Sequence, residues 1–489
     1  MPTATASSLP PAIAHLIEPR NHIAGQWAAD GDGTFNTVLD KYNGTELARV
    51  PHATAAQMDR AIAAAVQVSP ALRTMSAGER SAQLEALTAG VQGHAEELAQ
   101  LIMHEAGKPI GYARAEVARC IATLRTAAGE ALRMGGEVVN IDQGAGAGRT
   151  AFTKRFPIGP VAAITPFNFP LNLVLHKVAP ALAAGCPVVL KPAPQAPLSA
   201  LLLARLVEQA GWPAGTLNVL LCGIPVAEQL VKDPRVAMLS FTGSDQVGWH
   251  LKAICGKKKV ALELGGNAAV IVDADADLPA VARTVAHAAY LYAGQICIST
   301  QRIYAVDAVF DAFRDLLTEA VDRVPCGDPA DPKTIVGPII DRGHVERVDA
   351  WVREAVQGGA TLLAGGHVAD PDRNVYAATL LTGATRDMRV HSAEVFGPVA
   401  VLERVPDFGA AIARVNDSAY GLQAGVFTND HAHVKRAHDE LEVGGVIIGN
   451  VPGFRVDNMP YGGIKDSGLG REGVRYAMEE MTEPRLLVY

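Results

Sequence analysis

At 489 residues the chain has room for about two to four domains and a large hydrophobic interior, which excludes a peptide or a small stapled scaffold. Apolar residues make up 49% and charged residues 19%, with 47 glycines and 30 prolines dispersed along the sequence, a balance that excludes global disorder. The net charge of −8 gives no basic footprint for a nucleic-acid or anionic-lipid partner, and the short run Lys257 to Lys259 reads as solvated.

Residues 1–20 lack a basic start followed by an unbroken apolar segment and read as a short arm rather than a targeting signal. Thr54 is placed to cap a helix, and Ser76 with Glu79 makes a capping box ahead of Leu84, Leu87, Val91, Leu98 and Leu101 at helical spacing. The first third is therefore expected to be helical. The segment GGEVVNIDQGAGAGRTAFTKRF then reads as two β-like arms around a glycine-rich turn. From Val161 short apolar runs (VAAIT, PVVL, LNVLL, VAMLSF) alternate with helical segments, the pattern of a parallel sheet buried on both faces. Ligands on such sheets bind beyond the carboxyl ends of the strands.

The apolar stretch Val174 to Leu190 is interrupted by His176, Lys177, Pro180 and Pro187, short of the roughly 20 residues that span a bilayer, so no membrane segment is expected. A second α/β series follows from LPAVARTVAHAAYLYAG to VGGVIIGN, and the β-like PRLLVY comes last. Two exposed β arms far apart in sequence point to an oligomer contact. The six cysteines, at 120, 186, 222, 255, 297 and 326, form no CxxC pair or paired metal-ligand spacing, which suits a reducing, cytoplasmic setting and predicts no metal site.

Several residues are candidates for chemistry, each with a plainer alternative. Cys297, in GQICIST, follows a helix expected to end near Ala293 and is either a presented nucleophile or a small buried hydrophobe. Glu263 ends the apolar strand VALEL before Gly265 and Gly266, as a partly desolvated general base or a salt-bridged strand end. Gly243, Ser244 and Gly248 follow VAMLSFT at the mouth of a helix, suited to pyrophosphate or to an ordinary turn. Lys191, in PVVLKPAP, would hold ribose hydroxyls or an extra phosphate, or else be solvated. Asn168, fixed between the prolines of PFNFP, would donate to an oxyanion or cap its own turn.

Taken together, PFNFP, KPAP, FTGS, LELGGN, GQICIST, EVFGP and PYGGIKDSGLGREG resemble, in order and over nearly the whole chain, the NAD(P)-dependent aldehyde dehydrogenase superfamily. The blocks ITPFNFPLNLVLHKVAPALAAG and NVPGFRVDNMPYGGIKDSGLGREG are most similar to its lactaldehyde and phosphonoacetaldehyde dehydrogenase branch. The resemblance implies an α/β fold with a Rossmann-like cofactor domain (1–133 and 158–259), an α/β catalytic domain (260–469) and a small β oligomerisation arm (134–157 and 470–489), assembled as a homodimer or homotetramer. It implies Cys297 as nucleophile, Glu263 as base and Asn168 as oxyanion donor. NAD or NADP would be held by Thr165, Pro166, Phe167, Lys191, Ala193, Pro194, Gly243, Ser244, Leu264, Glu394 and Phe396.

Two departures bear on selectivity. Many NAD-selective members carry a glutamate where this chain has Pro194, so the expected cofactor is NAD or NADP, with the preference between them open. Members acting on succinic semialdehyde often carry an arginine where His176 aligns. Arg455 and Asn458 are implied near the mouth of the aldehyde tunnel, where an arginine would clamp a carboxylate or phosphonate; the alternative is a surface arginine braced by Asp457. A short polar or anionic aldehyde is thus expected. The rival activities are a CoA-acylating dehydrogenase, a silent dinucleotide-binding relative and a cysteine hydrolase that needs no dinucleotide.

Overall fold

The apolar runs between Val161 and Glu263 become parallel strands because nearly every residue in them is buried on one face of the sheet or the other. Alternation sorts them: Val161, Ala163, Val188 and Leu190 join one core, while Ala162, Ile164, Val189, Leu239 and Phe241 join another across the sheet. The computed structural model describes residues 9–489. In its first large sheet the parallel strands lie in the order Leu217–Val219, Val188–Lys191, Val161–Ile164, Met238–Thr242, Lys259–Glu263. Strand order reverses between Val161–Ile164 and Met238–Thr242, which opens a crevice beyond their carboxyl ends. The register places Ile164 beside Lys191 and Thr242 beside Glu263, so four candidate segments leave the sheet on one edge.

A second sheet runs Thr361–Ala364, Thr379–Thr382, Val399–Val405, Arg302–Val306, Ala269–Val272, Gln423–Phe427, Gly445–Ile448, all parallel except the first. It too is covered on both faces, with Val270, Val272 and Ile303 in one core and Ala269, Ile271 and Tyr304 in the other. The two β arms separated in sequence meet in a third sheet. Thr482–Val488 pairs antiparallel along Ala151–Pro157, which pairs in turn with Val138–Val139.

The expected capping boxes form: Thr54 and Gln57 cap Ala55–Thr74 reciprocally, and Ser76 and Glu79 cap Ala77–Gly93. Three expectations need correction. Apart from the short helix Pro11–Ala14, the first third is helical only from Ala55, because Asn21–Ile23, Gln26–Ala28, Phe35–Leu39 and Glu46–Pro51 are strands. The first two are three residues each, too short for a period of two to register. The leucine run is two helices, broken at His94, with Leu98 and Leu101 on Ala95–Ala106. Nor is the N-terminal segment a free arm from residue 9 onward: Leu9, Ile13 and Leu16 are buried, and the Arg205 guanidinium donates to the carbonyls of His15 (3.3 Å) and Leu16 (3.0 Å). Residues 1–8 of that segment lie outside the described residues. Among the described residues no helix is long and apolar enough to cross a membrane.

Candidate active site

A cavity of about 310 Å³ occupies the crevice. The first sheet supplies Pro166, Phe167 and Asn168 after one strand, Thr242, Gly243 and Ser244 after the next, and Leu264 and Gly265 after the third. Facing them from the second unit are Cys297, Glu394 and Phe396. Phe167 and Phe396 meet edge to face with ring centroids 5.9 Å apart, and Phe396 holds a left-handed backbone (φ 46°) uncommon for a bulky residue. His344 and Arg347 also line the cavity, from the helix Arg342–Gln357. Sequence reasoning missed them, because that helix reads as an ordinary amphipathic surface helix capped by Asp341.

Ser244 occupies the N-cap position of Asp245–Ile254, yet its side chain makes no capping hydrogen bond. That helix approaches the strand end closely: a Cβ on Gly248 would fall 2.3 Å from a Leu264 methyl carbon, so a larger residue there would have to displace the Leu264 side chain. The Thr165 and Thr242 hydroxyls are buried without a partner among the described residues. Lys191 is partly buried, reaches only the Pro192 carbonyl (3.4 Å), and is held below its ordinary pKa by burial. Ala193 beside it is buried, and exposed Pro194 accepts a hydrogen bond from Asn36 (2.7 Å).

Cys297 sits on a loop whose backbone is set by several close approaches. The preceding helix ends at Tyr290, earlier than expected, and Tyr292 and Ala293 then adopt left-handed φ angles of 52° and 53°. The Tyr292 hydroxyl donates to the Ala106 carbonyl (2.8 Å) and anchors the kink. A Cβ on Gly266 would fall 2.2 Å from the Cys297 carbonyl oxygen, so the LELGGN loop packs directly on the cysteine backbone. Asn168 does not cap its own turn: its Nδ2 donates to the Gln295 carbonyl (2.8 Å), tying the amide to the cysteine loop. No hydrogen bond engages the Cys297 N–H among the described residues. Burial pushes the Cys297 thiol up to about 11, opposed by a hydrogen bond between its sulfur and the Tyr461 hydroxyl (3.1 Å). Tyr461, like His344 and Arg347, was given no role from the sequence.

Glu263 is buried, and among the described residues neither carboxyl oxygen has a hydrogen-bond partner. Burial first, and the charge of Glu472 second, push its pKa well above the ordinary carboxylate value. Glu472 goes the other way. Burial opposes its ionisation, but Lys177 (3.1 Å), His176 (3.2 Å) and Arg455 (3.1 Å) outweigh it and keep it charged. Glu394 accepts the Gly266 N–H (2.9 Å), and burial pushes it up to about 7.

Arg455 is not a surface arginine. Its side chain is 7% exposed, it lies 3.5 Å from the centroid of the Tyr461 ring, and its Nε has no partner. Asp457 braces Arg119 (2.6 Å) and His176 (2.8 Å) instead. Asn458 lines a separate surface hollow with Arg125, Arg133 and Arg475, away from the Cys297 cavity.

The model of the aldehyde dehydrogenase family matches residues 27–487, and the chain belongs to that family. It is an NAD(P)-dependent enzyme that oxidises aldehydes, with the mixed α/β fold of its relatives. It is 43% identical to 3-sulfolactaldehyde dehydrogenase of Priestia aryabhattai over 96% of this chain and 97% of that one. Aldehyde dehydrogenase 21 of Physcomitrella patens, solved with its reaction product succinate, is 41% identical with a TM-score of 0.93 over 97% and 99% of the two chains. A glyceraldehyde-3-phosphate dehydrogenase of Methanocaldococcus jannaschii, solved with NADP, is 37% identical with a TM-score of 0.89 over 94% and 100%.

Proposed function

We propose that this protein oxidises a short polar or anionic aldehyde to the free carboxylic acid, with Cys297 as nucleophile and Glu263 as base. The observation that carries this reading is the tie between Asn168 and the Cys297 loop: the amide spends one N–H on the Gln295 carbonyl, the Cys297 N–H is unengaged among the described residues, and both residues line the same cavity. The Cys297 thiolate attacks the aldehyde carbon, and these donors hold the oxyanion of the resulting thiohemiacetal. NAD(P)+ supplies the hydride acceptor when bound. Its pyrophosphate would rest on Gly243 and Ser244, whose hydroxyl is spare, and its ribose groups near Lys191 and Glu394. Thr165, Pro166, Phe167, Ala193, Pro194, Leu264 and Phe396 would complete that surface. Glu263 then takes a proton from the water that hydrolyses the thioester, a role for which its unpartnered oxygens leave it free.

Asn168→Ala is expected to lower kcat by roughly 10²- to 10³-fold, the cost of removing one preorganised oxyanion donor, with cofactor affinity unchanged; stopped-flow absorbance of the reduced cofactor measures it.

The anionic preference rests on the unpartnered Nε of Arg455, an N–H suited to an anionic oxygen. The relatives agree in kind: one is a 3-sulfolactaldehyde dehydrogenase, one was solved with succinate, and one is a glyceraldehyde-3-phosphate dehydrogenase, which are a sulfonated, a carboxylated and a phosphorylated compound. The test is initial rates with NAD and with NADP on matched neutral, carboxylated, sulfonated and phosphonylated short aldehydes. One anionic member should exceed the neutral ones in kcat/KM by about tenfold or more, as expected for one charge-assisted contact; equal values would remove the preference. No carboxylate pairs with Lys191, so both cofactors should serve.

On the same reading residues 1–133 with 158–259 form the cofactor domain, 260–469 the catalytic domain, and 134–157 with 470–489 an arm that joins subunits of a homodimer or homotetramer. The open edge of Thr482–Val488, where Leu486, Leu487 and Val488 are exposed, supports the last point.

A further inference from the structure

We propose that Tyr461 is a further catalytic residue, its hydroxyl donating a hydrogen bond to the Cys297 sulfur as the thiolate forms, and that Arg455 is a positioning residue acting through the Tyr461 ring. The inference rests on the reading of Cys297 as nucleophile.

The Tyr461 oxygen stands 3.1 Å from the sulfur, and the residue is 3% exposed, so water does not compete for the contact. A buried thiolate needs such a donor, because desolvation penalises the charged form. The Tyr461 phenol is itself held well above its ordinary pKa, by burial first and the Cys297 charge second, and so remains protonated: it donates and does not act as a base. The Arg455 guanidinium lies against the ring, 3.5 Å from the centroid, where its charge favours a polarised hydroxyl. Glu472 anchors both partners. Its backbone exchanges two hydrogen bonds with Tyr461 (3.0 and 2.6 Å), while its carboxylate takes the Arg455 NH2 (3.1 Å).

The groups facing the sulfur sort by effect. Glu394, from the turn before Phe396, and Glu263, from the first sheet, oppose the thiolate when ionised; Arg455 and the Tyr461 hydroxyl favour it. His344 and Arg347 line the same cavity from their helix. In the step itself the S–H bond breaks and its proton passes to water, the S–C bond forms, and the carbonyl π pair moves to oxygen. Tyr461 keeps its proton throughout.

The test is the pH dependence of Cys297 alkylation by iodoacetamide, followed by peptide mass in the full-length protein and in Tyr461→Phe. Phenylalanine keeps the ring and the arginine stack and removes only the donor. The midpoint should rise by about one to two units and the rate at neutral pH should fall roughly 10- to 100-fold, the worth of a hydrogen bond to a charged group, with the two rates converging at high pH. Difluorotyrosine at 461, a stronger donor of the same shape, should shift the midpoint down, and this variant serves if Tyr461→Phe does not fold. Superimposed profiles would overturn the proposal. Undiminished turnover in Cys297→Ala would instead overturn the nucleophile reading beneath it, so the two failures are distinct.

Discussion

Cys297→Ala should abolish aldehyde-dependent reduction of NAD(P)+, with a loss of at least roughly 10⁴-fold, because removing a covalent nucleophile leaves only binding and the oxyanion donors. The fold should survive. The substitution removes one sulfur and one hydrogen bond to Tyr461, a change of about 1 kcal/mol, and leaves the Gly266 contact with the backbone carbonyl intact. Cofactor binding, followed by the shift in melting temperature on adding NAD or NADP, should match the parent protein. Retained cofactor binding with lost turnover separates this reading from the silent relative, in which the substitution changes nothing measurable. A hydrolase would show cysteine-dependent ester cleavage with no dinucleotide present.

Glu263→Gln should uncouple the two halves of the reaction. Thioester formation continues, so about one reduced cofactor per site appears in a burst, while steady turnover falls by roughly 10²- to 10⁴-fold because water is no longer deprotonated. The pH profile carries the same signature. Burial and the charge of Glu472 raise the Glu263 pKa, so its base form grows as pH rises through that raised value. Deacylation in the parent protein should therefore accelerate with pH, and Glu263→Gln should lose that rise; rapid-quench measurement of the acyl-enzyme across pH tests it. If added CoA yielded acyl-CoA in place of free acid, the assignment of Glu263 as a hydrolytic base would fall.

Much of the architecture was legible in the sequence because parallel strands buried on both faces leave unbroken apolar runs and helix caps leave local signatures. Thr54 with Gln57 and Ser76 with Glu79 are such cases. The short edge strands Asn21–Ile23 and Gln26–Ala28 were not, since three residues carry no period. Nor was the break at His94, because the apolar spacing continues across it. The candidate site divides along a similar line. Residues that follow strand ends, such as Asn168, Gly243 and Glu263, were readable from position, as was Cys297 from its loop. His344 and Arg347 reach the cavity through tertiary packing alone, so no local pattern marks them; Tyr461 stands in the PYGG motif, but only packing brings its hydroxyl to the Cys297 sulfur. Arg455 was recognised, but its burial on the Tyr461 ring belongs to contacts between loops.

The strand that carries Glu263 is closed at its edge by Gly468–Leu469, and Ala151–Pro157 is closed by Thr482–Val488. During synthesis from the N-terminus both inner strands emerge long before their partners. Their edges stay open for that interval, and pairings so distant in sequence are slow to form. A chain that has emerged only as far as Glu263 thus holds the parallel strands of the first sheet but lacks Cys297, Glu394 and Phe396 from the facing wall of the cavity, as well as Tyr461 and the strands that close both edges.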